Sequence, residues 1–236
     1  MKKGFPFPMS KSESVIGWVW VFVHSFALVY ILSALYNYVL PSMGIKYTDA
    51  GFNVVYYAVS FVFLLIFLFR YLRASFRNFT SNLIDGLSSI AIYYFVYNLV
   101  MFLISLMISK FLPDASNPNQ DSINELIKLN KNAMIAVSVL LAPFVEEVLF
   151  RGVVYGTIRK KSVLLAYVVS ALMFAIYHEW QFLLAGFSWK LLITTLTYIP
   201  AGLCLARVYE RSKSIWPAIF LHMILNFVSV TVTIGL

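Results

Sequence analysis

Charged residues are scarce in this 236-residue chain: they make up 12% of it, whereas hydrophobic residues make up 61%. A soluble domain carries roughly a quarter of its residues as charged side chains, so the shortage excludes an ordinary water-soluble fold. Cysteine is also scarce, since Cys204 is the single one and lies in an apolar run. This excludes a disulfide framework and a cysteine metal cluster. We expect no cleavable signal peptide, because the first apolar run is too long and lacks a small-residue cleavage site.

Long apolar runs are abundant instead. About 20 apolar residues suffice to cross a bilayer as a helix, and seven runs qualify. They cover approximately residues 15–40, 51–69, 86–112, 133–155, 163–184, 191–206 and 215–234. The expected fold is therefore all-α: a polytopic membrane helix bundle with about seven transmembrane helices.

The net charge of +8 does not indicate a nucleic-acid partner. The lysines and arginines gather at the ends of the apolar runs, where they set membrane topology. With seven spans, twelve of the 18 lie on the side of the N-terminus, five lie on the other side, and Arg151 is inside a span. The positive-inside rule then predicts a multi-pass protein of the cell membrane with a cytoplasmic N-terminus.

A polar stretch at residues 113–131 divides the chain. It predicts a loop followed by a short amphipathic helix with Leu126 and Leu129 on one side. The three runs before it contain no acid, whereas three of the four after it carry polar groups suited to chemistry. We therefore divide the chain into 1–132, the first transmembrane helices with this connecting loop, and 133–236, a core of four transmembrane helices that carries these polar groups.

The fourth run contains the segment LAPFVEEVLFRG, which places charges inside an apolar span. An ionised side chain at mid-membrane costs roughly 2.5–3.5 kcal/mol, so it marks a functional-site candidate. Glu147 and Arg151 are four residues apart and can pair along the helix. Glu146 points about 100° away from Glu147 and is left without a local partner. Pro143 should kink or open the helix just before it, and the freed carbonyls would suit a site that holds water.

Histidines occur in three of the runs. We interpret His24 as a structural histidine bonded to a neighbouring carbonyl. His178 lies in the fifth run, and His222 lies in the seventh on the same helix face as Asn226. Together with Glu146 these residues supply the parts of a hydrolase. A carboxylate can act as general base on water, a histidine can hold that water, and a second histidine with an amide can donate to an oxyanion.

Three motifs at these residues resemble one known family. Glu146–Arg151 reads EEVLFR and matches EExxxR, Phe174–His178 reads FAIYH and matches FxxxH, and His222–Asn226 reads HMILN and matches HxxxN. These are the motifs, in the family's order, of the CPBP intramembrane proteases. That family includes the type II CAAX prenyl proteases and bacteriocin-processing or immunity proteins. The resemblance covers about residues 133–227 and does not extend to the first three spans.

The resemblance implies an intramembrane endopeptidase that hydrolyses a peptide bond of a membrane-associated, prenylated or leader-type peptide. Glu146 would activate the water and His178 would help to position it. His222 and Asn226 would form the oxyanion hole. Supporting positions would be Glu147, Arg151 and Phe174. The implied partners are a peptide or lipidated-protein substrate and the lipid bilayer.

We expect no cofactor, because the family's chemistry can proceed with a glutamate-activated water. Two histidines and a carboxylate can also ligate zinc, so the sequence alone leaves a divalent metal open. His178–Phe182 begins like the HExxH zinc motif but has Phe182 in place of the second histidine. Gly186–Ser188 resembles the GxS of rhomboid serine proteases, but its short connector indicates a turn, and that reading leaves both glutamates unexplained.

Two alternatives come from other functional classes. One is a non-catalytic immunity protein or regulatory scaffold of the same fold. The other is a transporter that uses the acids as a proton relay. The presence of all four candidate catalytic residues favours the enzyme, because a scaffold has no physical need for the complete set. A transporter would move a solute and release no cleavage product.

Overall fold

The structure is a computed structural model that describes residues 5, 8–46 and 48–235. Seven helices among these residues are long and apolar enough to cross a membrane, which confirms the number predicted from the sequence. They are α1 Lys11–Ser42, α2 Asp49–Phe67, α4 Leu83–Phe111, α6 Lys131–Ile158, α7 Val163–Ala185, α8 Trp189–Ser212 and α9 Ile215–Ile234. Two shorter helices are α3 Phe69–Ser81 and α5 Pro118–Leu129. The protein is therefore an all-α, multi-pass membrane protein.

Helix α6 lies at the centre of the bundle, packed against α1, α2, α7 and α9. Of its apolar window, 72% is buried, whereas none of the corresponding window of α4 is buried. One core cluster combines α6 side chains such as Val145 and Val148 with Leu64 of α2, Leu205 of α8 and Ile219 of α9. Because lipid tails are as apolar as these side chains, close packing rather than removal from water holds the helices together.

The backbone of α6 widens around the glutamates. π-Helical turns at Val137–Leu141 and Val148–Tyr155 flank a short α-helical segment. In the first π-turn, the backbone N–H five residues further on donates to each carbonyl. Residue 143 would donate to the Ser138 carbonyl in this pattern, but Pro143 has no N–H. The predicted opening thus takes the form of a widened turn. The freed carbonyl accepts from Asn226 Nδ2 at 2.8 Å, and Ser138 lies in the wall of the cavity described below.

Helix α8 is interrupted at Thr197 into the segments Trp189–Leu196 and Tyr198–Ser212. Pro200 explains the interruption, because it cannot donate to the carbonyl four residues earlier. Gly202 lies at the crossing with α7, where an added Cβ would stand 2.9 Å from Cα of Ala171. The absence of a side chain at Gly202 therefore sets how closely α7 and α8 approach.

Helix α5 confirms the expected short helix after the polar loop, but the predicted face is only partly right. Ile127 is its buried residue, with Ile123 and Leu126 packed beside it. Leu129 is 79% exposed, so its placement with Leu126 was wrong. The reason is that Ile123 and Ile127, four residues apart, define the inner stripe, while Leu129 ends the helix just before Asn130.

Candidate active site

A cavity of about 470 Å³ opens between the helices and brings the three motifs together. Its lining includes Glu146 from α6, Phe174 and His178 from α7, and His222 and Asn226 from α9. The expected convergence of the four candidate catalytic residues on one cavity is therefore observed. Their chemical roles are a separate matter and depend on the geometry within it.

Glu146 is 3% exposed and presents its two oxygens to different neighbours. Its Oε2 lies 3.6 Å from Nε2 of His178 and 3.9 Å from Nε2 of His222. Both distances are too long for a direct hydrogen bond. Polar atoms separated by more than about 3.5 Å are commonly bridged by water, so the space beside Oε2 suits one water molecule.

The ring of His178 is oriented by its own helix. Its Nδ1 lies 2.8 Å from the carbonyl oxygen of Phe174. Since a carbonyl only accepts, this contact assigns the proton of a neutral ring to Nδ1 and leaves Nε2 as an acceptor. The ring also stacks on Tyr198 with centroids 4.3 Å apart. His178 therefore presents a fixed lone pair toward Glu146.

Glu147 turns away from the cavity and contacts Arg151 and His222. Its Oε1 lies 3.0 Å from Nη1 of Arg151, which confirms the predicted pair, and both side chains are fully buried. The same oxygen lies 2.9 Å from Nδ1 of His222, a contact that sequence spacing did not predict. The close pairing of Glu147 with Arg151 offsets the desolvation of these two buried charges.

Phe174 packs against this charged group. The centroid of its ring lies 4.2 Å from Cζ of the Arg151 guanidinium, which is a cation–π geometry. The same ring contacts both histidines, with centroid distances of 4.5 Å to His178 and 5.7 Å to His222. Arg151 Nη2 donates further to the carbonyl of Gly202 at 3.2 Å. Phe174 thus fills the space between the Glu147–Arg151 pair, which lies behind the cavity, and the two histidines that line the cavity.

The side-chain amide of Asn226 bonds a backbone carbonyl and also lines the cavity. One N–H of its side-chain amide donates to the Ser138 carbonyl that Pro143 leaves free. A side-chain amide has two N–H groups, so one remains for a ligand in the cavity. The contact with Ser138 also fixes the direction of that second N–H.

Sequence reasoning missed one residue in direct contact with Glu146. The Tyr57 hydroxyl donates to Glu146 Oε1 at 3.1 Å and lies 3.2 Å from the hydroxyl of Tyr177. Tyr177 in turn contacts His24, whose ring bonds hydroxyls; the interpretation of His24 as bonded to a carbonyl was therefore wrong. Nothing in the sequence separates Tyr57 from an interfacial tyrosine, although Tyr177 could have been noticed inside the FAIYH motif.

The two alternative motifs, the rhomboid-like GxS serine and the incomplete HExxH zinc motif, gain no support from these contacts. Ser188 caps α8 by accepting from the N–H of Leu191 at 3.1 Å, as expected for a connector serine. Glu179 is buried, but it does not line the cavity. Within the described part of the chain, no group of three or more His, Cys, Asp or Glu side chains is arranged to hold a metal ion.

The carboxylates and histidines of this site lie within apolar helices, and comparisons with known proteins find similarity over the same segment. Residues 128–228 match the family model for the "Type II CAAX prenyl endopeptidase Rce1-like" proteins. The matched segment is less than half of the chain, and it contains all three motifs. No solved structure matches the chain.

Curated bacterial proteins are similar over parts of their length. The "Putative membrane peptidase YdiL" of Bacillus subtilis is 33% identical over 94 residues, which is 39% of this chain and 34% of that protein. The "UPF0177 protein YvdC" of Lactococcus lactis is 28% identical over 58% of this chain and 51% of its own length. The "UPF0177 protein YxdF" of the same organism is 25% identical over 70% of this chain and 85% of its own length. The first two matches span a third to a half of the relatives.

Proposed function

We propose that the protein is an intramembrane endopeptidase that cleaves a peptide bond with a water activated by Glu146. One observation carries the proposal. Oε2 of Glu146 and Nε2 of His178, both acceptors, face each other at 3.6 Å in the cavity. A water between them would donate one proton to each and would turn its lone pairs toward the cavity, where a peptide carbonyl can lie.

The reaction would then run without a covalent enzyme intermediate. The water oxygen bonds to the carbonyl carbon of the peptide, and the proton that this water releases moves to Oε2 of Glu146. The carbonyl oxygen becomes an oxyanion. Glu146 next returns the proton to the peptide nitrogen, the C–N bond breaks, and a carboxylic acid and an amine leave.

In this proposal, two donors would stabilise the oxyanion. One is the free N–H of Asn226. The other is Nε2 of His222, which can donate only when the ring carries both protons, because Nδ1–H already faces Glu147 at 2.9 Å. The carboxylate of Glu147 holds the ring through Nδ1, so that Nε2 lies toward Glu146. This division explains two adjacent glutamates: Glu146 handles the water, and Glu147 supports the donor.

The cavity also suits a partly apolar substrate. Its lining combines the polar residues above with aromatic and aliphatic side chains, including Phe52, Tyr56, Trp180, Phe182 and Leu225. We infer a membrane-associated peptide substrate, either prenylated, as the family name states for related endopeptidases, or a leader-type peptide. We place the protein in the cell membrane with a cytoplasmic N-terminus on the distribution of basic residues.

The test is mass spectrometry of peptides from cells that contain the wild type or Glu146→Gln at equal membrane abundance. Purified protein is tested in parallel with a quenched fluorescent farnesylated CAAX peptide. Asp85→Asn, which removes an exposed acid at the start of α4, is the matched control. We expect products with the wild type and Asp85→Asn and none with Glu146→Gln. A cellular phenotype that requires the protein while no product forms would support the scaffold instead.

A further inference from the structure

A chain of hydrogen bonds connects Glu146 to the first two transmembrane helices. Its Oε1 accepts from the Tyr57 hydroxyl at 3.1 Å, and Tyr57 meets the Tyr177 hydroxyl at 3.2 Å. Nε2 of His24 lies 2.9 Å from the same Tyr177 hydroxyl, and Nδ1 lies 2.7 Å from Oγ of Ser60. His24 and Ser60 are fully buried. Four side chains from α1, α2 and α7 therefore form one hydrogen-bonded series that leads to the carboxylate of Glu146.

The direction of this chain follows from what each group can donate. An ionised Glu146 only accepts, so Tyr57 donates to it and must accept from Tyr177. Tyr177 then accepts from Nε2–H of a neutral His24, and Ser60 donates to Nδ1. Every proton in the chain points toward the carboxylate, and such aligned hydrogen bonds polarise and strengthen one another.

The same arrangement holds when Glu146 carries the proton taken from water. That proton is on Oε2, so Oε1 becomes the carbonyl oxygen of the acid and still accepts from the Tyr57 hydroxyl. No group in the chain has to reverse, and His24 keeps one tautomer in both protonation states of Glu146.

The surroundings hold the chain in place. His24 lies in the π-helical turn Val23–Ala27, and such turns are frequently found at functional sites. The Tyr56 hydroxyl donates to the backbone carbonyl of His24 at 2.5 Å. A carboxylate otherwise has a broad choice of terminal torsion. With Oε1 bonded to Tyr57, the position of Oε2 beside His178 is fixed.

We propose that Tyr57, Tyr177, His24 and Ser60 are positioning residues that keep Oε1 of Glu146 hydrogen-bonded in both protonation states of the catalytic cycle. The first two spans would thereby take part in the reaction from outside the segment that carries the family motifs. This inference rests on the proposed function, because it assigns the chain to the same carboxylate.

The first experiment is a double-mutant cycle with Tyr57→Phe and Ser60→Ala, each of which removes one hydroxyl and preserves most of the packing. Tyr30→Phe is the control, since that side chain of α1 is 64% exposed. With the farnesylated CAAX probe, Tyr57→Phe should lower kcat about 10- to 100-fold, the size of one hydrogen bond to a charged group, with KM unchanged. Ser60→Ala should lower it less.

The double variant should be no slower than Tyr57→Phe, because the chain is already cut next to Glu146. Independent structural effects of two hydroxyls would instead multiply. Multiplying effects, or a Tyr57→Phe protein that turns over at the wild-type rate, would overturn the inference. A parallel fall in thermal stability that accounts for the lost activity would do the same.

Infrared spectroscopy of the purified protein separates this inference from the proposed function. The band of the Glu146 carboxyl group is identified by its loss in Glu146→Gln. It should shift in Tyr57→Phe, shift less in Ser60→Ala and stay unchanged in Tyr30→Phe. Such shifts in a protein that cleaves no peptide would support the hydrogen-bond chain and refute the peptidase. A band unaffected by Tyr57→Phe would refute the chain even in an active enzyme.

Discussion

Helices α4 and α6 have the same mean hydropathy of 2.0 and nearly the same length, 29 and 28 residues, yet they occupy opposite kinds of position. The apolar window of α4 has no buried residues, whereas 72% of that of α6 is buried. Hydropathy therefore identifies both as spans and says nothing about which of them is central.

The polar side chains explain the difference. In α4, Asn98 donates to the Tyr94 carbonyl and Ser105 to the Phe102 carbonyl, so these groups are satisfied within their own helix. In α6, Glu146 and Glu147 find partners on α2 and α9. Because an unsatisfied polar group in hydrocarbon costs several kcal/mol, α6 needs neighbours that α4 does not.

The largest expected effect on stability comes from breaking the buried ion pair of α6. Glu147→Ala leaves Arg151 buried without its carboxylate partner and should destabilise the protein by about 3–5 kcal/mol. Asp85→Ala at the exposed start of α4 should change little. Thermal unfolding in detergent and membrane abundance measure both. Normal stability of Glu147→Ala with lost activity would show that Glu147 acts directly in the chemistry.

The next effect concerns the oxyanion donors. His222→Asn keeps an amide near the position of Nδ1, so the contact with Glu147 can persist while the Nε2 donor is lost. Turnover should slow by roughly 10²–10³, the scale for one oxyanion-hole donor, with stability close to that of the wild type. Single-turnover cleavage of the farnesylated probe at equal abundance measures it. A rate near wild type would remove His222 from the oxyanion hole.

A smaller effect is expected where α8 crosses α7. Gly202→Ala places a Cβ against the Ala171 backbone and should destabilise by about 1–3 kcal/mol, as overpacking does. Gly186→Ala is the control, because nothing lies within 4 Å of the added Cβ. Thermal unfolding of the two variants gives the comparison. Equal stability would mean that α7 and α8 can separate without strain.

The smallest expected effect is that of chelators. If water, carboxylate and imidazole groups suffice, prolonged treatment with a zinc chelator should leave cleavage unchanged, and metal analysis of active protein should find no stoichiometric ion. The incubation must be long enough for the chelator to reach a buried site. Activity lost to the chelator and restored by zinc would contradict this expectation.

Much of the fold could be predicted from the sequence, because long apolar runs have few alternatives in a membrane. The seven spans followed from this, as did the pairing of Glu147 with Arg151 at a separation of four residues. The motif residues that line the cavity were also identified in advance. Their catalytic roles are still predictions.

The remaining contacts depend on how the helices pack. Tyr57 and Glu146 are 89 residues apart, and His222 and Glu147 are 75 apart. No periodicity within one helix indicates such neighbours. The contact of Asn226 with Ser138 additionally required the π-turn before Pro143. The misplacement of Leu129 had a simpler cause, since a short helix allows more than one apolar stripe.

The most direct test of the central claim is single-turnover hydrolysis of the farnesylated probe by purified Glu146→Gln in lipid vesicles, beside the wild type and Asp85→Asn. Glutamine keeps the shape of the side chain and removes the base. The proposed mechanism predicts that Glu146→Gln folds with wild-type stability, binds the probe and releases no product, while the other two proteins cleave it. Product release by Glu146→Gln at the wild-type rate would contradict it.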